Sequence, residues 1–412
     1  MVEFDIVVKN ARVVTPMSGE PANGVSFSPL EVYDGVDIGV KDGIIVEIAP
    51  SLDGRGKEEI SADARLVIPG FVDPHTHTVF GGQRAKEFVW RLTGIPYMEI
   101  RARGGGIMAS VRATRAASFE ELYECSLRRL QEMMGWGTTT VEIKSGYGLD
   151  GDAELKMLEV IAKLAEELSL DVVPTFLGAH DIPPEFGDDP DAYVEKVEQM
   201  IPEVANRGLA RFCDVFCEHG VFTPEQSERV LRKGEEYGLL PKLHVDEFVP
   251  SGGAELAGKL SAVSADHLSA ATDSGLEAMA NAGVVAVLLP GTSFFLGLSS
   301  KPNLSLMKEL GLKVALGTDF NPGSSTVLGM PLIITLACLH YGFTPEEALV
   351  ASTYNSACAL KMEEKVGTIE PGKQADILIC DVENIDEIAY WVDHNPVRVV
   401  IKKGEVVKRE CV

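Results

Sequence analysis

Apolar and polar positions along this chain fall into two textures. Residues 5–14, 36–40 and 44–48 are short β-branched runs, and Asp42-Gly43 supplies a tight turn between the last two. Residues 15–35 carry Pro, Gly, Asn and Ser and read as a loop, and Leu66-Val67-Ile68 leads into a break at Pro69-Gly70. From Phe71 onward short apolar runs alternate with longer stretches of helical spacing. The runs end at His77, Lys144, His180, Glu218, Phe248, Leu268, Gly291 and Asp319, and helices are predicted over 152–168, 191–206, 223–237, 271–282 and 329–340. Eight strand–helix units across residues 69–365 predict an α/β protein with a (β/α)8 TIM barrel. The β texture returns in 366–369, 375–380, 397–401 and 405–407, with Lys403-Gly404 marking a hairpin. Because the two chain ends are alike, residues 1–68 and 366–412 are predicted to pair into one small β-sandwich domain, with the barrel inserted between them. A doubly wound open sheet accounts for the pattern less well. No G-x-G-x-x-G follows the first strand, and polar residues gather at the ends of many strands.

Those strand ends carry the candidate chemistry. The stretch Phe71-Val72-Asp73-Pro74-His75-Thr76-His77 reads as a short strand ending in two histidines at i and i+2, which share a face because side chains alternate. His180 follows Leu177-Gly178-Ala179, His244 and Glu247 lie in the run 242–248, His267 follows Asp266, and Asp319 follows Gly317-Thr318. Of the eight histidines, six lie at or near strand ends, which converge on one mouth in a barrel. Three imidazoles and one carboxylate suit Zn2+ or Fe2+. A metal with an open position lowers the pKa of bound water towards ~7 and supplies hydroxide at neutral pH, while a nearby His or Glu moves protons to the leaving nitrogen. Singly, each residue has a plainer reading: His244 as a barrel filler, Asp319 as a turn residue, His180 as a strand cap, Glu247 as the partner of a cation. Their concurrence points to a site. His340 and His394 have no visible partners and read as structural.

The H-x-H strand, the lone His244, His267 and Asp319 resemble the amidohydrolase superfamily over the whole chain, including a β-sandwich made from both ends. The strings Thr76-His77-Thr78-Val79-Phe80-Gly81-Gly82-Gln83-Arg84, Gly104-Gly105-Gly106-Ile107, Glu142-Ile143-Lys144-Ser145-Gly146-Tyr147-Gly148 and Thr318-Asp319-Phe320-Asn321-Pro322-Gly323-Ser324 narrow it. They are similar to a branch that hydrolyses a ring amide in a heterocycle bearing a propionate. The resemblance implies that His75, His77, His244 and Asp319 hold one Zn2+ or Fe ion, and that Arg84 grips the propionate as a guanidinium fork grips a carboxylate. It implies that Tyr147, His180, Glu247, Asn321, Gly323 and Ser324 line the substrate pocket, and that Glu247, His267 and Asp319 carry the catalytic work. Many binuclear relatives place a carboxylated lysine at the end of the fourth strand. Here that region reads Asp214-Val215-Phe216-Cys217-Glu218-His219, so a single metal is expected. A homodimer is also implied. The competing readings are a deaminase acting on a purine or guanine-like ring, for which Arg84 makes little sense, and a metal-free assembly protein, against which the intact His75, His77, His244 and Asp319 argue.

Charge and cysteine usage trim the remaining classes. A net charge of -25 argues against wrapping nucleic acid or docking on anionic lipid, both of which reward a basic face. The seven cysteines include no C-x-x-C pair and suit a reducing cytoplasm, and Cys213 and Cys217 read as buried thiols. No basic leader opens the sequence, and no apolar run approaches the ~20 residues a membrane span needs. Gly104-Gly105-Gly106 lacks a following Lys-Ser/Thr, which excludes a phosphate loop and leaves a mobile loop at the barrel mouth as the expectation. Ser324 has no G-x-S-x-G around it and is no triad nucleophile.

Overall fold

A computed structural model describes residues 2–19 and 26–410. Part of the loop expected over 15–35 therefore lies outside the described residues. The N-terminal segment forms β1 (Val2–Pro16), β2 (Leu30–Lys41), β3 (Ile44–Ala49), β4 (Gly54–Ser61) and β5 (Leu66–Pro69). The barrel strands follow as β6 (Phe71–Asp73), β7 (Thr138–Lys144), β8 (Asp171–Ala179), β9 (Phe212–Cys217), β10 (Leu240–Val245), β11 (Ser264–His267), β12 (Val285–Leu288) and β13 (Val314–Leu316). The C-terminal segment adds β14 (Ile377–Cys380), β15 (Val397–Lys402) and β16 (Glu405–Arg409).

The chain ends share one sheet in the order β16-β15-β14-β5-β1-β2-β3, with β4 paired to β1. The joint between them is the antiparallel pair β5–β14, in which Ile68 faces Leu378. Ile6, Val8 and Val13 of β1 pack in one apolar core with Ile38, Val40, Ile377, Ile379, Val399 and Ile401. Neither end buries that face alone, so the two segments depend on each other. The segment 366–369 has the buried apolar residues expected of a strand, but it forms no ladder.

The second sheet runs β6 to β13 in sequence order, each neighbouring pair parallel. The predicted helices appear as Gly151–Glu167, Pro190–Asn206, Pro224–Glu236, Asp273–Ala282 and Met330–Leu336. Capping boxes at Ser118, Thr223 and Thr344 and an Asp cap at Asp150 set several helix starts. The first connection is longer than the sequence pattern suggested: helices Ala85–Leu92, Tyr97–Ala102, Ile107–Ala116 and Phe119–Gly135 lie between β6 and β7. The Gly104–Gly106 run joins two of them, and the Gly106 amide donates to Glu87 Oε2 at 2.8 Å. A Cβ on Gly105 would stand 2.7 Å from Ile100 Cγ2. No described helix is long and apolar enough to cross a membrane.

The barrel seam is unusual. β6 stops at Asp73 because Pro74 has no N–H to give to a ladder. Closure is made one step later, by the His77 amide to the Phe320 carbonyl at 2.9 Å and the Asp319 amide to the His75 carbonyl at 3.0 Å. At the opposite end, the helix Tyr354–Ala359 and Leu360 cap the floor against Val72, Phe212 and Val263.

Candidate active site

Barrel interiors are usually filled by branched apolar side chains. Here the layer beneath the mouth is charged. Glu142 and Lys144 alternate on β7, Lys242 and His244 on β10, and Ser264 and Asp266 on β11, so each pair faces inward together. Lys144 Nζ sits 2.7 Å from Asp214 Oδ2, 2.9 Å from Glu142 Oε2 and 3.5 Å from Asp266 Oδ2. Lys242 Nζ sits 2.9 Å from Glu142 Oε2 and donates to the Pro74 carbonyl at 3.1 Å. All five side chains are fully buried. Burial opposes the Lys144 charge, but the three carboxylates outweigh it and raise its pKa.

This layer supports the histidines above it. His75 Nδ1 lies 2.6 Å from Asp266 Oδ2, and His244 Nδ1 lies 3.1 Å from Asp214 Oδ1. A carboxylate oxygen faces each Nδ1 and orients the ring, which turns each Nε2 towards the mouth. At the mouth His75 Nε2 is 3.4 Å from Asp319 Oδ1, His77 Nε2 is 3.5 Å from the same oxygen, and His244 Nε2 is 3.4 Å from His77 Nε2. His75 Nε2 is buried with no hydrogen-bond partner. Burial, first of all, holds His75 and His77 well below the ordinary imidazole pKa, so neither relieves the crowding by taking a proton. Nitrogens of His75, His77 and His244 lie close enough together to hold a metal ion, and Asp319 Oδ1 stands 3.4 Å and 3.5 Å from two of them.

Backbone geometry aims the remaining groups. Asp246, His267 and Asp319 at the ends of β10, β11 and β13 have φ of 50°, 76° and 48°. Left-handed backbone at non-glycine residues costs about 1–2 kcal/mol each and turns each strand end sharply at the mouth. Thr292 Oγ1 donates to Asp319 Oδ2 at 2.5 Å, which leaves Oδ1 to the histidines. Burial pushes Asp319 up to about 6, against the hydrogen bond from Thr292. Burial also raises the Glu247 carboxyl well above its ordinary value, helped by Asp319 and Glu218, and lowers the His267 imidazole. His267 Nδ1 faces Glu247 Oε1 at 3.7 Å.

These groups open into one cavity of about 650 Å³, lined by His77, Arg84, Tyr147, His180, His244, Glu247, His267, Asp319, Asn321, Gly323 and Ser324. Every candidate from the sequence is on that wall except His75, which lies just beneath it. His180 stacks on His77 at 4.9 Å and donates Nδ1–H to the Gly146 carbonyl at 3.0 Å; burial holds its pKa down to about 3. Arg84 is on the same wall, paired with Glu87 through Nε–Oε2 at 2.9 Å and a second contact between Nη2 and Oε1. A Cβ on Gly323 would fall 1.9 Å from Arg84 Nη1, so this glycine makes room for the guanidinium. Asn321 Oδ1 accepts from the Gly323 and Ser324 amides at 2.8 Å each, and its Nδ2 donates to the Asp319 carbonyl at 2.7 Å. Its amide therefore holds the turn in shape. Sequence reasoning missed Asp214 and Asp266 as partners of the histidines, and Lys144, Lys242 and Glu142 beneath them. The signal was present as charges at alternate positions of otherwise apolar strands.

An enclosed mouth with a His-rich donor set on a parallel barrel defines a metal-dependent hydrolase. Residues 66–407 match the amidohydrolase family, and the chain belongs to it. Solved structures of that architecture superpose over most of the chain. The 5-methylcytosine deaminase from Klebsiella pneumoniae gives a TM-score of 0.76 at 19% identity, covering 98% of both chains. N-isopropylammelide isopropylaminohydrolase from Burkholderia multivorans gives 0.72 at 19%, again covering 98% of both. At that identity the likeness is one of fold. Within the family the chain falls among the imidazolonepropionases. It is 47% identical over 414 residues to the imidazolonepropionase of Geobacillus kaustophilus, covering 98% of this chain and 97% of the relative. It is 49% identical over 402 residues to that of Brevibacillus brevis, covering 95% of each.

Proposed function

We propose that this enzyme hydrolyses the ring amide of 4-imidazolone-5-propanoate to N-formimidoyl-L-glutamate, a step of histidine degradation. The observation that carries the reading is the presence, in the wall of one cavity, of a histidine cluster and the Arg84 guanidinium. A carboxylate tail on a planar ring matches the guanidinium fork, for which a bare nucleobase gives much less reason. The deaminase and assembly-protein readings have correspondingly less support.

In this reading His75, His77, His244 and Asp319 hold one Zn2+ or Fe ion. When bound, the ion supplies Lewis acidity and a water of lowered pKa. Arg84 binds the propionate, and Tyr147, His180, Asn321, Gly323 and Ser324 shape the ring pocket. Burial keeps the Tyr147 phenol protonated, so it is a donor at neutral pH. His180, with Nδ1 committed to Gly146, presents Nε2 as an acceptor. The water oxygen bonds to the ring carbonyl carbon, the ring C–N bond breaks, and a proton reaches the leaving nitrogen. Glu247, raised by burial, holds and delivers that proton. His267, a neutral imidazole, polarises the ring carbonyl, and Asp319 takes the first proton from the water. We further infer two units, residues 1–68 with 366–412 and residues 69–365, and a cytoplasmic homodimer as the working form.

Turnover of imidazolonepropionate against guanine tests the reaction, and elemental analysis of purified protein tests the ion. Activity on guanine alone would overturn the assignment, and stoichiometric metal is expected at one per chain. Arg84→Ala is expected to raise KM with a smaller change in kcat; an unchanged KM removes the clamp.

A further inference from the structure

Glu154 lies in the first turn of the helix Gly151–Glu167, fully buried and outside the cavity. Its Oε1 accepts from the Gly148 amide at 2.7 Å and the Leu149 amide at 2.9 Å, and its Oε2 accepts from the Gly146 amide at 3.0 Å. Burial pushes its carboxyl up, while hydrogen bonds from Ser145, Leu149, Gly146 and Gly148 pull it back. The helix N-terminus favours the negative charge as well. The segment it gathers is the one that carries Tyr147 and whose Gly146 carbonyl holds His180.

We propose that Glu154 is a positioning residue for the substrate, fixing the wall of Tyr147 and His180 by holding three consecutive-turn amides of the 146–149 loop. This rests on the reading that Tyr147 and His180 face the substrate ring. The loop has almost no other way to sit. Gly146 has φ of +100°, and a Cβ there would lie 2.9 Å from His180 Nδ1; a Cβ on Gly148 would lie 2.5 Å from the Glu154 amide nitrogen. From the outside, Arg115 donates to the Gly148 carbonyl at 2.6 Å and the Leu149 carbonyl at 3.0 Å. Arg115 holds carbonyls and Glu154 holds amides, so removing the carboxylate leaves three buried donors without partners. Relaxing them moves the Gly146 carbonyl, and with it the nitrogen that His180 turns to the pocket.

The test uses the full-length, metal-loaded enzyme with Glu154→Gln, which keeps the shape but turns an NH2 group towards a backbone N–H. We expect KM for imidazolonepropionate to rise about tenfold or more with a smaller change in kcat, and the metal content to stay as in the wild type. The amides of Gly146, Gly148 and Leu149 should exchange hydrogen faster. Tyr147→Phe should have less effect in the Glu154→Gln background than in the wild type, because the two act through one wall. An unchanged KM in folded, metal-loaded protein overturns the proposal, as does strict additivity with Tyr147→Phe. Should Glu154→Gln and Glu154→Asp both lose the fold or the metal, Glu154 supports the barrel at large and the proposal also fails. A wild-type enzyme inactive on imidazolonepropionate would refute the substrate, and hydrogen exchange at the three amides would still decide the role of Glu154.

Discussion

Two charge clusters, one fully and one partly buried, sit at opposite ends of the barrel and do different things with the same residue types. Under the mouth, Lys144 and Lys242 meet Glu142, Asp214 and Asp266 with no exposure. At the floor, Asp171, the first residue of β8, meets Lys402 at 2.7 Å, Lys403 at 3.0 Å and Lys365 at 3.3 Å, and Lys402 also pairs with Asp376 at 2.6 Å. The floor cluster joins the barrel to the sheet made by the chain ends, and two of its lysines reach solvent. In the upper cluster two carboxylates each turn one oxygen to a histidine Nδ1. The lower one has no histidine in it. Ion pairs thus fasten two pieces of chain in one place and orient the His75 and His244 imidazoles in the other.

Substitutions that break each cluster should separate these roles. The largest effect is expected from His244→Ala, which removes an imidazole that rests on the upper layer: turnover falls to background and bound metal is lost, read by assay and elemental analysis. Next comes Lys144→Met, which leaves three buried carboxylates short of a cation and costs about 3–5 kcal/mol in chemical denaturation. Asp266→Ala removes the partner of His75 Nδ1 and should weaken metal binding about 10- to 100-fold, measured by competition with a chelator. If Asp266→Ala destabilised the fold but left metal affinity intact, the upper cluster would be a fastener like the lower one. The smallest effect is expected from Asp171→Asn, about 1–2 kcal/mol of stability with kcat and metal affinity unchanged. Burial opposes ionisation of Asp171, but Lys402, Gln374 and Lys403 outweigh it and hold its pKa below the ordinary carboxylate value. Its contribution is therefore complete above the unfolded value of about 4 and is lost as pH falls below that. Acid denaturation of Asp171→Asn should accordingly show a flatter loss of stability below about pH 4 than the wild type.

The barrel was legible because short apolar runs recur between helical stretches after Phe71, and the mouth was legible because histidines stop at strand ends. The charged layer was not. Lysines are almost never fully buried unless paired, and the partners of Lys144 come from β7, β9 and β11, far apart in sequence. A residue such as Lys242, read alone, argues for an exposed face, and only the closed barrel shows what neutralises it. The helices of 85–135 were likewise obscured by glycine and arginine-rich stretches such as 101–106, whose turns depend on contacts with Glu87 and Ile100. Asn321 shows the remaining gap. Read from its own segment it is a turn residue, as its amide shows, and only the family resemblance places it in the pocket wall.

First and last strands of the barrel are stitched by the same short segments, 75–77 and 319–320, that present the imidazoles and the carboxylate. An ion held by those side chains would clasp the cylinder shut at its final joint. Stripping it should loosen that joint before any other part of the wall, so demetallation and local opening would be a single event.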